Sequence, residues 1–402
     1  MHASETWRRN FILNLGDGAF FNAGMAFIAP TAILPLFVSH YTPSPWMLGL
    51  LSALYYLGLT LPQPWGAARL TKTRDFGRSM RFLFLLPRLA LFGLAFAPWL
   101  PKSWVLPWFF LFFGLFSFLL GYQIPLWYAF LDQFLPSEKR GMFFGCRGAT
   151  GGVFGLFAAL AAGWCLKALP LPQSYGLCFF LAFLCISLSY LCVTATSHPW
   201  ATPQGEPFWE AAKGLWKENS EFQGYLIGRL AIATASMAMA FYVVHAKERF
   251  GLSVATSSLL AIALAYFPAI LGVLWGPLAD RWGTKPIQVA GSLIAALATV
   301  LLLVAPSLPG YAIGLFLVGC GQVSINQLDG KRLLEIDARR KGAVVSLFNL
   351  FLMPAMAALP LGAGWLATLE GIPPVIGITA VAWIFGGISL ALTGPSLKPQ
   401  EA

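Results

Sequence analysis

Three charged side chains, Asp17, Arg88 and Arg229, stand inside otherwise apolar runs of this 402-residue chain, and any chemistry must start from them. A charge at the middle of a membrane-spanning helix costs roughly 2.5–3.5 kcal/mol on insertion scales, and it persists where it faces a partner, a cavity or a substrate. An acid in that setting can carry a proton at neutral pH, because burial disfavours the ionised form. A guanidinium can clamp a carboxylate or an anionic substrate. Asp17 lies in the first apolar run and Arg229 at the matching depth of the seventh. The two are expected to pair, or to share a charged substrate or a proton, with Asp17 as the candidate proton carrier. The structural alternative is a private pair within one half, Asp17 with Arg88 for instance.

Amides and aromatics extend the candidate set. Asn14 shares a helical face with Asp17, and Gln322, Asn326 and Asp329 recur at i, i+4 and i+7. Gln123, Trp127, Tyr266 and Asn349 also fall inside apolar runs. Polar groups surrounded by lipid need partners, so these are expected to point inward, onto a substrate or a neighbouring helix. Asp132 and Asp329 end apolar runs just before basic loops and are expected to form gate pairs with Arg140, Arg332 or their neighbours. Plain helix-end ion pairs explain them almost as well. Chemistry of other kinds has no footing. The four histidines (His2, His40, His198, His245) are scattered, and the six cysteines sit in apolar runs without a CxxC pair. No GxxxxGK[ST] loop occurs, so no metal, cofactor or ATP is expected.

The elements that must hold these groups are membrane-spanning helices. Hydrophobic residues make up 58% of the chain and charged residues 10%, against about 45–50% and about 25% in soluble domains. The mean hydropathy is +0.71. Twelve stretches are long and apolar enough to cross a bilayer. Their approximate limits are 11–39, 46–68, 79–99, 104–131, 142–167, 174–195, 222–245, 254–279, 286–306, 309–329, 342–368 and 373–394. The first is too long for a cleavable signal, and Pro30 and Pro35 predict a kink in it. Trp46, Trp99, Trp104 and Trp108 cluster at span ends, as an aromatic belt requires.

The net charge of +10 reflects loops rather than nucleic-acid binding. With the N-terminus placed in the cytoplasm, twenty of the 26 Lys and Arg residues fall in cytoplasmic segments and four on the opposite face. That imbalance predicts both termini inside. The polar stretch 196–221 divides the chain into an N-terminal bundle, 1–195, and a C-terminal bundle, 222–402. Within it, "PFWEAAKGLWKE" suits a short amphipathic helix on the membrane surface, or a merely solvated linker. The two halves echo each other. Gly141 and Gly163 stand 22 residues apart with a Trp after the second, and Gly342 and Gly364 repeat the pattern 201 residues later.

One loop between two apolar runs carries three charges within six positions: "GPLADRWGTKP", residues 276 to 286. Gly276 allows close helix approach, and Gly283 permits a turn with positive φ. Asp280 can accept from backbone N–H groups at a neighbouring helix start, or pair with a base. Twelve spans, two similar halves and Gly276, Asp280, Arg281, Gly283 and Lys285 in the loop after span 8 resemble the major facilitator superfamily. Its signature is Gly, three residues, Asp-Arg, one residue, Gly, then basic residues. The loop after span 2, residues 66 to 81, departs from it, with Arg74 and Asp75 in swapped order.

The resemblance implies an all-α integral membrane fold of two pseudo-symmetric six-helix bundles, with spans 1 and 7 facing each other across a central cavity. It implies that the 276–285 cluster latches neighbouring helices on the cytoplasmic side. The expected function is secondary active transport of a small organic solute by alternating access, coupled to protons through Asp17. The expected protein is monomeric, surrounded by lipid and located in the cytoplasmic membrane. A polyspecific exporter of lipophiles is the alternative within the same fold. A polytopic enzyme would need clustered catalytic residues and a channel a filter-like sequence, and neither is found.

Overall fold

The computed structural model describes residues 2–30, 33–42, 45–72, 75–197, 206–252, 260, 266–337 and 339–393. No strand occurs among the described residues. The chain forms helices α1 (His2–Phe27), α2 (Ile33–Tyr41), α3 (Pro45–Thr60), α4 (Gln63–Lys72), α5 (Phe76–Ala95), α6 (Lys102–Phe134), α7 (Arg140–Ala168) and α8 (Gln173–Thr194). A short α9 (Phe208–Glu218) follows. Then come α10 (Ser220–Ser236), α11 (Met239–Phe250), α12 (Trp275–Trp282), α13 (Thr284–Val304), α14 (Leu308–Ile336), α15 (Lys341–Glu370) and α16 (Ile372–Leu392).

Eight of the expected spans are single stretches long and apolar enough to cross a membrane, from Phe76–Trp99 to Ile372–Leu392. The other four, spans 1, 2, 7 and 8, are interrupted. Span 1 is not one kinked helix. It breaks between α1 and α2 beside Pro30, which has no N–H for a helical hydrogen bond. Span 2 breaks at Leu61–Pro62 for the same reason, and span 7 turns at Met237–Ala238. Much of span 8 lies outside the described residues, and its described end holds a 3-10 turn, Gly272–Leu274, before α12. The interrupted spans thus occupy corresponding places in the two halves.

The chain divides into two compact units, Met1–Leu135 with Thr150–Trp209, and Pro136–Ala149 with Glu210–Ala402. The boundary differs from a simple cut at the linker, because the first turns of α7 pack with the second unit. The first unit has an aromatic core in which Phe37 lies 5.0–5.2 Å from Phe109, Tyr175 and Phe179. The second is centred on Tyr242, Leu302, Tyr311, Val318 and Ile376. Helix α9 is amphipathic. Phe208, Ala211, Ala212 and Leu215 are buried, while Trp209, Lys213 and Lys217 are exposed. It is tied to the second unit by Trp216 stacked on Phe351 at 5.4 Å and by a Glu218–Arg340 ion pair of 3.1 Å.

Candidate functional site

In the second unit, α10 places Arg229 opposite the polar face of α14. The guanidinium grips the Asp329 carboxylate in two-pronged fashion, Nη2 to Oδ2 at 2.7 Å and Nε to Oδ1 at 3.0 Å. Its Nη2 also donates to Asn326 Oδ1 at 3.0 Å. One turn earlier on α10, the Tyr225 hydroxyl donates to Asp329 Oδ1. Gln288 of α13 donates to the Tyr225 hydroxyl at 3.2 Å and reaches Asp329 Oδ1 at 3.4 Å. The Phe348 ring of α15 closes the site, with Arg229 5.9 Å from its centroid and Tyr225 stacked on it. Arg229 is only 4% exposed, and Tyr225 and Gln288 are buried. The planar fork of Arg suits this bidentate grip, and each further donor satisfies a remaining carboxylate lone pair.

The first unit holds a second buried charge centre. Asp17 of α1 is 4% exposed and accepts from Ser189 Oγ of α8 at 2.6 Å. Arg88 of α5 donates to the Ile186 carbonyl of α8 at 3.2 Å and to Gln123 Oε1 of α6 at 3.4 Å. Its guanidinium lies 5.5 Å from the Tyr190 ring, and Asp17 acts on it electrostatically. Carbonyls, an amide and an aromatic face together partner the buried cation.

The loop cluster is a third centre, within the second unit. Asp280 accepts from the backbone N–H groups of Gly141 at 2.8 Å and Met142 at 2.6 Å, capping the start of α7. A carboxylate there meets the positive end of the helix dipole. Lys331 of α14 completes the site, 2.6 Å from Asp280 Oδ1 and 3.0 Å from the Ala279 carbonyl. A Cβ on Gly276 would lie 2.1 Å from the Gly141 carbonyl oxygen, so the two backbones touch here. Gly283 has φ 88° and ψ 157°, a conformation open to glycine alone, and it separates α12 from α13. Lys285 donates to the Thr393 carbonyl just past the end of α16, and Arg281 is exposed.

The structure groups the sequence-derived candidates differently from the spacing argument. Asp329 does not sit with Arg332 as a gate pair. It is held by Arg229, while Arg332 pairs with Glu221 at 2.7 Å. Asn14 gives its amide N–H to the Asn10 carbonyl and to Thr196 Oγ1 at 3.0 Å, so it ties α1 to the end of α8. Trp127, Asp132, Tyr266 and Gln322 are half-buried, and Arg140 and Asn349 are buried. Tyr225, Gln288, Ser189, Glu221 and Lys331 were missed. Tyr225 stands at i−4 from Arg229 and Gln288 interrupts an apolar run, which are readable signals; Ser189 offered none. Arg74 lies outside the described residues. Asp75 caps α5 by accepting from the Arg78 N–H at 2.8 Å, a local use for an acid at that position.

Comparison with known proteins places this architecture. The family model described as Major Facilitator Superfamily matches residues 224–401. None of the curated proteins matches the sequence. Among solved structures, the Escherichia coli fucose:proton symporter superposes with a TM-score of 0.79 at 14% identity, covering 97% of this chain and 100% of that chain. A proton:xylose symporter gives 0.76 at 14% identity, over 98% and 97%. The human organic anion transporter MFSD10 gives 0.73 at 12% identity, over 96% and 99%. Residues 224–401 thus match the superfamily's model, and the whole chain shares the twelve-helix fold of these transporters.

Proposed function

We propose that the protein moves a small organic solute, a sugar or an organic anion, across the cytoplasmic membrane by alternating access, with protons as the coupling ion. The observation that carries this reading is the pair of buried charge centres, one in each unit, each on the first span of its half. Asp17 accepts from the Ser189 hydroxyl and acts electrostatically on Arg88, and Asp329 is engaged by a guanidinium, a phenol and an amide. A buried carboxylate on the first span is a group that a proton can ride on, so Asp17 is the proposed proton carrier. Arg229, Asn326 and Asp329 are the proposed polar contact for solute, since a solute that competes for Arg229 changes how tightly Asp329 is held. Fucose, xylose and organic anion transporters share the fold, and proton coupling appears in two of those names.

The proposed latch is Asp280 on the start of α7. Its two N–H acceptor contacts and Lys331 form a set that is made or broken as one, which suits a two-state gate. The basic loops mark the proposed cytoplasmic face, with both termini on it and the carrier acting as a monomer. The test is uptake by reconstituted protein over a panel of sugars, organic anions and lipophilic cations. Saturable uptake of a narrow set, lost in Arg229→Gln, supports the reading. Broad uptake of lipophiles that survives Arg229→Gln favours a polyspecific exporter instead.

A further inference from the structure

Transport by the polar centres leaves one feature of the second unit unused, a groove of about 760 Å³ between α10 and α16. Ile227, Leu230 and Ala231 line it from α10, and Gly377, Val381 and Phe385 from α16. Its walls face outward, with Ile227 53% and Val381 66% exposed. The two helices are in close contact where a Cβ on Gly386 would lie 2.5 Å from Ile232 and 3.0 Å from the Gly228 carbonyl. Towards Pro374 the small residues Ala231 and Gly377 leave the floor recessed. A Cβ on Gly377 would meet nothing within 4 Å.

Phe385 also lines a second pocket of about 300 Å³, whose other walls include Ser220, Ser389 and Thr393. That end is polar. Lys285 donates to the Thr393 carbonyl at its rim, and the Arg332–Glu221 pair stands beside it, with Lys285 acting electrostatically on Glu221. Arg332 is buried and paired with Glu221, which leaves Lys285 as the cation this rim offers. From Ser220 to Thr234 the lining spans about 21 Å along α10 at 1.5 Å per residue. That exceeds the roughly 15 Å of one leaflet's hydrocarbon and falls short of the full ~30 Å.

We propose that this groove is a binding site for one anionic phospholipid. An acyl chain lies along Ile227, Leu230 and Val381, and the phosphate headgroup sits at Ser220 and Thr393 beside Lys285. The apolar floor selects the chain, and the Lys285 ammonium selects an anionic head. The lipid bridges α10, which carries Arg229, to α16.

The experiment is native mass spectrometry of the full-length protein released from mild detergent, titrated with dioleoyl phosphatidylglycerol or dioleoyl phosphatidylcholine. One phosphatidylglycerol per chain is expected to be retained, roughly fivefold more tightly than phosphatidylcholine, the worth of one basic side chain near an anionic head. Gly377→Trp and Val381→Trp fill the groove and are expected to lose the retained lipid. Leu297→Trp, on an exposed position of α13, is expected to keep it. Thermal unfolding without lipid checks that each variant folds, and Val381→Trp, at an outward-facing position, keeps the test alive if Gly377→Trp does not. Equal retention of the two lipids overturns the proposal, as does retention unchanged in both groove variants.

Discussion

At the scale of single residues the decisive pair is Arg229–Asp329. Removing one partner of a buried ion pair leaves a charge uncompensated and typically costs about 3–5 kcal/mol. Asp329→Asn is therefore expected to lower the detergent melting temperature sharply. The double variant Arg229→Met, Asp329→Leu is expected to recover most of that loss while abolishing transport. A double variant as unstable as the single one would show that the centre stabilises through something other than charge pairing. That Arg229, Asn326 and Asp329 need partners was legible, because polar residues in apolar runs are costly wherever they stand. Their pairing was not. Sequence position gives the depth of a residue along a helix, but not which of several neighbours it turns towards. Asn14 shows the same limit: it shares a helical face with Asp17, yet its amide reaches the Asn10 carbonyl and Thr196.

At the scale of elements, the joints around α12 decide more than the helices themselves. Gly276 and Gly141 bring two backbones together, and Gly276→Val is expected to break the Asp280 cap and shift the conformational equilibrium, read as altered cysteine accessibility at the ends of α7. Gly283→Ala is expected to cost about 1–3 kcal/mol of stability, since its φ of 88° strains any residue with a side chain. The loop motif was readable because glycine and aspartate there meet local needs of turn and cap. The breaks in spans 2 and 7 were not read. Pro62 supplied a signal for the first, whereas the turn at Met237–Ala238 has no proline or glycine to announce it.

At the scale of the whole molecule, composition and hydropathy alone made a many-spanning helical protein legible. The first turns of α7 belong with the second unit, which hydropathy along a line could not reveal, because it records how apolar a helix is and not which bundle it packs in. The proposed sidedness rests on the basic loops, and on it a cysteine at Lys213 of α9 is expected to react with impermeant reagents from the cytoplasmic side and one at Lys102 from the other. The central claim, solute movement coupled to protons through Asp17, is tested most directly in proteoliposomes carrying a pH-sensitive dye, with solutes from the sugar and organic anion panel added outside. Wild-type protein is predicted to give saturable, solute-dependent proton movement, and Asp17→Asn to lose it while still exchanging labelled for unlabelled solute. Saturable exchange with no proton movement in the wild type, or unchanged proton movement in Asp17→Asn, would contradict the account.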